Sequence, residues 1–364
     1  MFADGLGDTD VIDFTDVRGT VSEYTLQGGD GDDAIRSIAT SSERSIFYGN
    51  NGSDIITLDQ LSQCSVLGGE GSDLISIDTA FKSSVNGNQG IDLINAFSGA
   101  TSSFLFGGKE NDDFLLGGLF SVTEIRGGAD NDLIQIFEGA ELNSSTINGN
   151  AGNDVIRLLG DVKISSSSIS GGAGNDELDG SASDLPVIFF GGAGSDSLAG
   201  GNSTDDLNGG GGDDLIFGGS AADSLAGGAG SDTFSYSSGI EGELQTGNVA
   251  NGLIDQIIDF TTSIDKLKGF GVNGAGQFST FAAGFATYET ARLGITSQIA
   301  LTGYDYVVTS YGSGNSWTAV LFTDILNSSL DPFSPFGAIR IGATGQFSTE
   351  AQAIASIAAS DILA

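Results

Sequence analysis

Residues Gly28–Ile35 have the sequence GGDGDDAI, and the pattern Gly-Gly-x-Gly-x-Asp-x-apolar recurs along much of the chain. The next copies are GNNGSDII (Gly49–Ile56), GGEGSDLI (Gly68–Ile75) and GNQGIDLI (Gly87–Ile94). Successive sixth-position aspartates are 19 to 22 residues apart over eight intervals, and then 9 residues apart over four. A glycine-rich acidic turn at a fixed period is typical of a parallel β-solenoid whose stacked turns bind Ca²⁺. The sixth positions are Asp33, Asp54, Asp73, Asp92, Asp112, Asp132, Asp154, Asp176, Asp196, Asp205, Asp214, Asp223 and Asp232.

Each long period predicts one coil of an all-β fold, a parallel β-roll or β-solenoid. Glycine permits the positive φ and the close backbone approach that a six-residue turn requires. Apolar residues at spacing two follow each aspartate, as in Ile56 and Leu58, and predict a short strand with one buried face. A Ser-rich segment and a second apolar strand complete the coil, so the coils are expected to stack with their glycine turns aligned.

The two repeat lengths predict two different edges. A coil of about 20 residues has the motif at one turn only, whereas two nonapeptides form one coil with the motif at both turns. We therefore expect Asp33 through Asp196, continuing to Asp214 and Asp232, along one edge. Asp205 and Asp223 are expected along the other edge. Gly5–Ile12 (GLGDTDVI) resembles a degenerate further copy, with Asp10 at the sixth position.

The repeats predict two domains. Residues 1–235 are expected to form the roll, with long coils to about residue 196 and nonapeptide coils over 196–235. Residues 236–364 are expected to form a small β-rich cap with a short terminal helix. Antiparallel strands are predicted at Tyr304–Gly312, Ser316–Ile325 and Gly337–Thr344. They would cover the last coil, whose open edge would otherwise invite pairing with another chain. Because repeats begin so near the start, the sequence also fits a fragment of a longer protein.

The turn chemistry predicts calcium. Ca²⁺ takes about six to eight oxygen ligands, and a glycine turn offers backbone carbonyls while its aspartate supplies charge. Since ions would lie between stacked turns, we expect about eight to twelve of them. Weaker sites are expected at GNQGID and at GGKEND, where Glu110 replaces a glycine. Mg²⁺ fits less well because it prefers a tighter octahedron and retains its waters.

The composition supports a cation-binding protein. The chain has 48 acidic and 12 basic residues, a formal net charge of −36, and divalent cations would offset the resulting self-repulsion. A salt-adapted acidic surface is the alternative, but it does not explain acids at one repeat position. Nucleic acid and anionic lipid are poor partners for such a surface. The single cysteine, Cys64, excludes an intramolecular disulfide and is expected to be a small buried residue.

Several classes of function are disfavoured by what the sequence lacks. There is no histidine, so neither a His-Glu-x-x-His zinc site nor a Ser-His-Asp triad can form. A carboxylate-only glycosidase could use Glu241, Glu243 or Glu289, but nothing in the pattern arranges them. Ice binding would need a regular Thr or Asn row, which the fifth repeat position does not show. We expect no catalytic residues, no membrane span and no N-terminal Sec signal peptide.

The nonapeptides of residues 28–235 resemble those of the RTX proteins, the haemolysin-type calcium-binding repeats. GSDTFSYSSG (Gly230–Gly239) and DQIIDFTTSIDKLKGFG (Asp255–Gly271) resemble the segment that follows such repeats in serralysin-type C-terminal regions. The long coils depart from the RTX pattern because one edge lacks the motif. The resemblance implies that Ca²⁺ is bound by the sixth-position aspartates and by turn glycines. These glycines are Gly29, Gly31, Gly69, Gly71, Gly172, Gly174, Gly192, Gly194, Gly210, Gly212, Gly228 and Gly230.

The resemblance also implies type I secretion with an uncleaved C-terminal signal, for which STEAQAIASIAASDILA (Ser348–Ala364) is the candidate. We therefore expect an extracellular, calcium-binding structural or adhesive protein of a bacterial cell surface or matrix, such as a surface-layer component. The alternative is a non-catalytic module or fragment of a larger secreted RTX hydrolase or toxin. Self-association and cell-surface polysaccharide are the candidate interactions besides Ca²⁺.

Overall fold

The computed structural model describes residues 2–4, 7–13, 19–235, 256–259, 266–268, 278–280, 306–313, 316–323, 337–341 and 362–363. Over these residues the regular secondary structure consists of β-strands, as the repeat pattern predicts. The chain forms two compact units, an N-terminal unit (Met1–Ser183) and a C-terminal unit (Asp184–Ala364). The predicted division at residue 235 follows the end of the repeats and remains a prediction.

Strands that lead into the glycine turns form sheet 1 of the N-terminal unit. They are β1 (Phe2–Asp4), β4 (Thr25–Asp30), β6 (Ile46–Asn51), β8 (Ser65–Glu70), β10 (Ser84–Gln89), β13 (Phe104–Lys109), β16 (Glu124–Ala129), β19 (Thr146–Ala151) and β22 (Ser168–Ala173). Each strand pairs in parallel with the strands of the coils before and after it. In each strand from β4 to β22 one inward side chain is fully buried, and these side chains are in register: Leu26, Phe47, Val66, Val85, Leu105, Ile125, Ile147 and Ile169.

Strands that leave each aspartate form sheet 2 of the same unit. They are β2 (Val11–Asp13), β5 (Ala34–Glu43), β7 (Ile55–Ser62), β9 (Leu74–Phe81), β11 (Leu93–Ala96), β14 (Asp113–Leu116), β17 (Leu133–Phe137), β20 (Val155–Leu159) and β23 (Glu177–Asp179). They also pair in parallel, coil on coil. Because side chains alternate along a strand, every second residue enters the core. The inward row is Ile35, Ile56, Ile75, Ile94, Phe114, Ile134, Ile156 and Leu178.

The remaining part of each long coil contains further short strands of sheet 2. They are β3 (Val21–Ser22), β12 (Gly99–Thr101), β15 (Leu119–Ser121), β18 (Glu141–Asn143) and β21 (Lys163–Ser165), and the same region is spanned by the long strands β5, β7 and β9. These strands stack in parallel from coil to coil. The first residues of the Ser-rich segments therefore belong to strands, and serines such as Ser83 and Ser103 lie in the turns that follow.

The C-terminal unit repeats this arrangement with shorter coils. Its strands are β24 (Ile188–Ala193), β25 (Ser197–Ala199), β26 (Asp206–Gly211), β27 (Leu215–Phe217), β28 (Ser224–Ala229), β29 (Thr233–Ser235), β30 (Gln256–Ile257), β31 (Lys266–Lys268), β32 (Phe278–Thr280), β33 (Tyr306–Ser313), β34 (Ser316–Thr323), β35 (Gly337–Ile341) and β36 (Ile362–Leu363). Parallel pairing runs β24-β26-β28-β30-β35 in one sheet and β25-β27-β29-β31-β36 in the other.

The strands after the repeats cover the last repeat coil of this unit. β30 pairs with β28 and β31 pairs with β29, so both sheets continue past the last glycine turn. The antiparallel strands predicted in this region are present as β33, β34 and β35. Most of the predicted terminal helix lies outside the described residues, but Ile362–Leu363 form strand β36 and not helix. No helix in the described part of the chain is long and apolar enough to cross a membrane.

Candidate metal sites

The predicted ligand glycines lie in the turns with the left-handed backbone that the motif requires. All twelve have positive φ, between 98° and 143°. Some turns place asparagine at the second position, and Asn50, Asn88 and Asn150 keep a φ of 80° there. Glu110, in the GGKEND turn, also keeps a positive φ of 71°. The turn geometry is therefore retained where the motif departs from glycine.

A column of buried aspartates connects the coils of the N-terminal unit. The Oδ1 atom of each sixth-position aspartate accepts the backbone N–H of the equivalent aspartate in the preceding coil, at 2.7 to 2.8 Å. Asp10 starts the column by donating to Asp33, which confirms the geometry of the degenerate copy. Asp33 through Asp176 are at most 3% exposed. One carboxylate oxygen is thus committed to holding adjacent coils in register.

The second carboxylate oxygen points into the turn. The Oδ2 atoms of seven of these residues, and that of Asp214 in the C-terminal unit, are buried and accept no hydrogen bond within the described residues. The seven are Asp33, Asp54, Asp73, Asp92, Asp112, Asp132 and Asp154. A buried carboxylate oxygen without a donor is costly unless a cation or a proton neutralises it. The buried Oδ2 atom that accepts no hydrogen bond is therefore the observation that indicates a bound cation.

In several turns the Oδ2 atom lies beside a backbone carbonyl of the next coil. A methyl group added at Gly28 would lie within 2.7 Å of both Asp33 Oδ2 and the carbonyl oxygen of Gly49 in the next coil. The same pairing of an Oδ2 atom with the next first-glycine carbonyl recurs at Gly49, Gly68 and Gly107. Only glycine leaves this space open, and the oxygens around it suit a hard cation. The first-glycine carbonyls could not be predicted from the sequence, because their position depends on the stacking of coils.

The ligand set is dominated by the backbone. The described residues contain no group of three or more acidic or cysteine side chains that could hold a metal ion. Each turn contributes one buried carboxylate, and in several turns a backbone carbonyl of the next coil lies beside it. This donor set fits Ca²⁺, which accepts carbonyl oxygens, and it does not fit a soft metal that prefers thiolate.

Burial raises the pKa of the column aspartates from Asp54 to Asp176 above the ordinary value of 3.8. The pKa of Asp112 rises to about 8, because its burial is reinforced by the neighbouring charges of Asp92 and Asp132. The pKa of Asp73, Asp132 and Asp214 rises to about 7, and burial is the largest cause for each. A backbone N–H to Oδ1 opposes the shift but does not cancel it. In the metal-free turns, ionisation of these carboxyls is therefore unfavourable at neutral pH.

The C-terminal unit has two aspartate columns, on opposite edges. Asp196 donates to Asp214, and Asp214 donates to Asp232, at 2.8 and 3.0 Å. Separately, Val187 donates to Asp205, and Asp205 donates to Asp223, both at 2.9 Å. The predicted assignment of the nonapeptide aspartates to two edges is therefore correct. Asp205 differs from the other aspartates because its Oδ2 accepts the N–H of Gly201 at 2.7 Å.

The edge without the metal motif in the N-terminal unit holds a column of buried hydroxyl groups, which the sequence analysis missed. The hydroxyl of Ser83 accepts the N–H of Cys64 at 3.1 Å and donates to the carbonyl of Phe81 at 3.0 Å. Equivalent bonds link other coils. Cys64 is buried as predicted, and its thiol donates to the carbonyl of Ser42. The column consists of Ser45, Cys64, Ser83, Ser103, Thr123, Ser145 and Ser167.

An exposed asparagine column flanks the aspartates at the fifth motif position. The Oδ1 of Asn111 accepts the N–H of Asn131, which in turn bonds Asn153, and Asn153 bonds Asn175. These bonds run from the later coil to the earlier coil, opposite to the aspartate bonds. Neighbouring residues in one turn therefore connect it to the coils on both sides.

The last repeat turn is closed by a residue outside the repeats. The carboxylate of Asp259 accepts the backbone N–H groups of Gly227 and Gly228, at 2.9 and 2.7 Å. Asp259 follows strand β30, which stacks on the last repeat strand β28, so it occupies the level where another glycine turn would lie. The candidate active-site acids Glu241, Glu243 and Glu289, and most of the proposed secretion signal, lie outside the described residues.

Comparison with known proteins supports this geometry. Four segments match the RTX calcium-binding nonapeptide repeat: 144–161, 166–184, 188–216 and 208–240. No curated protein matches the chain. Among solved structures, the AlgE6R3 subunit of the Azotobacter vinelandii mannuronan C5-epimerase is 22% identical. That match covers 50% of this chain and 78% of the other, with a TM-score of 0.30, which is too low to support an argument.

Stacked parallel coils with one buried aspartate and open carbonyls per turn define a calcium-binding repeat solenoid. The chain carries RTX calcium-binding nonapeptide repeats, which are matched within residues 144–240.

Proposed function

We propose that this chain is a secreted structural protein whose solenoid is locked by Ca²⁺ outside the cell. The carrying observation is the series of buried aspartates from Asp33 to Asp154, whose Oδ2 atoms accept no hydrogen bond within the described residues and in several turns lie beside a backbone carbonyl. Without metal these carboxylates oppose folding, and with metal each bound ion adds its binding free energy to the fold. The extracellular modules that use such sites have a Kd of about 0.1 to 1 mM.

Calcium-dependent folding is tested by far-ultraviolet circular dichroism of the full chain. We expect little β-structure in excess chelator and a cooperative gain as calcium rises to about 10 mM. Magnesium at the same concentration serves as the control and is expected to induce much less structure. Identical spectra in chelator and in calcium would contradict the proposal.

The proposed number of bound ions is about eight to twelve, since ions would occupy the gaps between stacked turns. Equilibrium dialysis with metal analysis of the folded chain measures this number directly. A value near two would contradict binding along the whole column and would restrict it to a few turns.

The proposed role is structural or adhesive, at a bacterial surface or in an extracellular matrix, after type I secretion with a C-terminal signal. Support comes from the RTX repeats, the net charge of −36 and the lack of histidine in the sequence. We further propose that residues 1–235 form the calcium-bound roll and that residues 236–364 cap it and carry the signal. Secretion of a reporter fused to Ser348–Ala364 by a type I system tests the export step.

The second candidate is a calcium-stabilised module of a larger secreted RTX hydrolase or toxin. It is favoured by the repetitive sequence of the solenoid, because a calcium-stabilised solenoid can fold next to another domain as well as on its own. Assays of the purified chain on polysaccharides and casein separate the two readings. Turnover would contradict the non-catalytic proposal, whereas ordered assembly on calcium without turnover would support it.

A further inference from the structure

The outer face of sheet 2 has an apolar patch on four consecutive coils of the N-terminal unit. The neighbours of these residues along the strands, such as Ile134 and Ile156, fill the core, so alternation points the patch residues to solvent. Phe97 is 52% and Leu159 is 39% exposed, and the others are partly exposed. Patches of this kind on a soluble protein mark interaction sites. The outer patch consists of Leu93, Phe97, Leu115, Leu133, Phe137, Val155 and Leu159.

Two aromatic rings form the centre of the outer patch. The rings of Phe97 and Phe137 are 6.1 Å apart between centroids, although a whole coil separates their backbones. Gly117 occupies that intervening coil, where its N–H donates to the carbonyl of Ala96. Because Gly117 has no side chain, the two rings meet above it. The pair is thus pre-arranged as a rigid apolar anchor, a kind of residue that dominates protein interfaces.

The distribution of charge favours a second copy of this chain as the partner that covers the outer patch. The outward positions of β11, β14, β17 and β20 carry two charged side chains, Asp113 and Arg157, while the chain as a whole carries a net charge of −36. Two copies that meet across this face would therefore bring few charges into contact. The two charges have opposite sign and lie one coil before and one coil after the coil of Leu133. Arg157 already pairs with Glu177 at 2.8 Å, but such a half-exposed pair contributes little and leaves the guanidinium available.

We propose that two copies of this chain pack through the outer faces of sheet 2, with their coils in opposite order, around Phe97 and Phe137. A two-fold axis at the coil of Leu133 then brings Asp113 of one copy to the level of Arg157 of the other. Such self-complementarity is what an isologous interface requires. The inference rests on the proposed function, because calcium-folded coils are needed to build the face.

The area of overlap is that of a weak interface. With the two-fold axis at the coil of Leu133, the coils of β11, β14, β17, β20 and β23 of one copy lie over the same five coils of the other. Five coils at ~4.8 Å, with strands of about five residues at ~3.3 Å, give a face of roughly 20 by 15 Å, which is below the ~800 Å² per partner of a standard interface. The dimer is therefore expected to depend strongly on protein concentration.

The test is sedimentation analysis of the full chain in saturating calcium over a range of concentrations. The wild type is expected to form dimers, and Phe97→Ser with Phe137→Ser is expected to raise the dimer Kd at least tenfold. Phe104→Ser is the matched control, because Phe104 is 46% exposed on sheet 1 and lies outside the patch. Unchanged association of the double variant, or equal loss in the control, would overturn the proposal.

A charge reversal tests the opposite order of the coils. Asp113→Arg alone is expected to weaken the dimer, since it faces Arg157 of the second copy, and adding Arg157→Asp is expected to restore at least part of the affinity. A double variant no tighter than the single one overturns the arrangement. Circular dichroism of the wild type and of every variant distinguishes failure of the interface from failure of the proposed function. A wild-type chain that folds on calcium but stays monomeric overturns the interface alone. A wild-type chain that does not fold on calcium overturns the proposed function.

Discussion

At the scale of single residues, the sixth-position aspartate has two separate tasks. Its Oδ1 atom holds the preceding coil through a backbone N–H, and its Oδ2 atom faces the space between turns. Aspartate suits this position because its short side chain brings both oxygens close to the backbone. Replacement of the aspartate by asparagine separates the two tasks. The amide oxygen of asparagine can still accept the backbone N–H, but the negative charge is lost.

We therefore predict opposite effects of Asp112→Asn with and without metal. In saturating calcium the variant should bind fewer ions and lose about 3 kcal/mol of stability, the contribution of one ion present at 100 times its Kd. In chelator at pH 8 the variant should be more stable than the wild type, because a buried charge is gone. Urea unfolding and metal analysis measure both effects. Glu138→Gln, which removes an exposed charge, is the control and should change neither quantity.

A second residue-scale prediction concerns the hydroxyl column. Ser83→Ala leaves the buried N–H of Cys64 without its acceptor and should cost about 1 to 3 kcal/mol in calcium-saturated urea unfolding. Cys64→Ser is the control, because serine is the residue at most other levels of this column. An unchanged stability of Ser83→Ala would mean that the column contributes nothing.

At the scale of elements, the aspartate column makes the metal-free fold sensitive to pH. Folding raises the pKa of these carboxyls from 3.8 to about 6 at Asp54 and to about 8 at Asp112. A raised pKa means that the folded state binds protons more tightly than the unfolded state. This contribution to stability is therefore fully present below pH 3.8 and is lost as the pH rises through 6 to 8.

We accordingly predict that the chain in chelator has more β-structure at pH 5 than at pH 8. Circular dichroism across this range, with calcium-saturated protein as the control, provides the measurement. The calcium-saturated spectrum should change little over the same range, because bound ions keep the carboxylates ionised. More structure at pH 8 than at pH 5 in chelator would contradict the pKa shifts.

The closing turn of the C-terminal unit supports a further element-scale prediction. Asp259→Ala leaves the N–H groups of Gly227 and Gly228 without a carboxylate acceptor and should raise the calcium concentration needed to fold this unit. Asp206→Asn, at an exposed position of β26, is the control. Tryptophan fluorescence of Trp317, which lies in β34 of the same unit, provides a local signal. Equal calcium midpoints for the wild type and Asp259→Ala would show that this cap is dispensable.

Sequence periodicity predicted the parts of the fold that repeat. The aspartate columns, the buried row that includes Ile56 and Ile75, and the two edges of the nonapeptide coils all follow from spacing and alternation. Ser83 and its equivalents were not predicted, because a serine in a turn and a serine in a buried column look alike until the coils are stacked. Asp259 was missed for a similar reason: its partners, Gly227 and Gly228, are about 30 residues away. Isolated long-range contacts leave no periodic signal.

At the scale of the whole molecule, the two units should differ in their dependence on calcium. In the N-terminal unit one edge has the aspartate column and the other has hydroxyl groups that need no metal. The C-terminal unit has aspartate columns on both edges. The free energy of its shorter coils therefore depends more strongly on bound ions.

We predict that hydrogen exchange separates the two units as calcium is lowered. Amides in strands β24–β29 should lose protection at a higher calcium concentration than amides in β6–β20. Exchange in saturating calcium serves as the control, in which both groups should be protected. Simultaneous loss of protection in the two groups would contradict the difference between their edges.

The spacing of the aspartates varies from 19 to 22 residues, yet the column of the N-terminal unit remains in register. Extra residues are absorbed away from the glycine turn, as in the irregular register between Ser37 and Ser41. Small insertions in a coil are therefore tolerated, and a whole period can be gained by gene duplication without altering any existing turn. The length of the N-terminal unit can therefore change by one coil at a time.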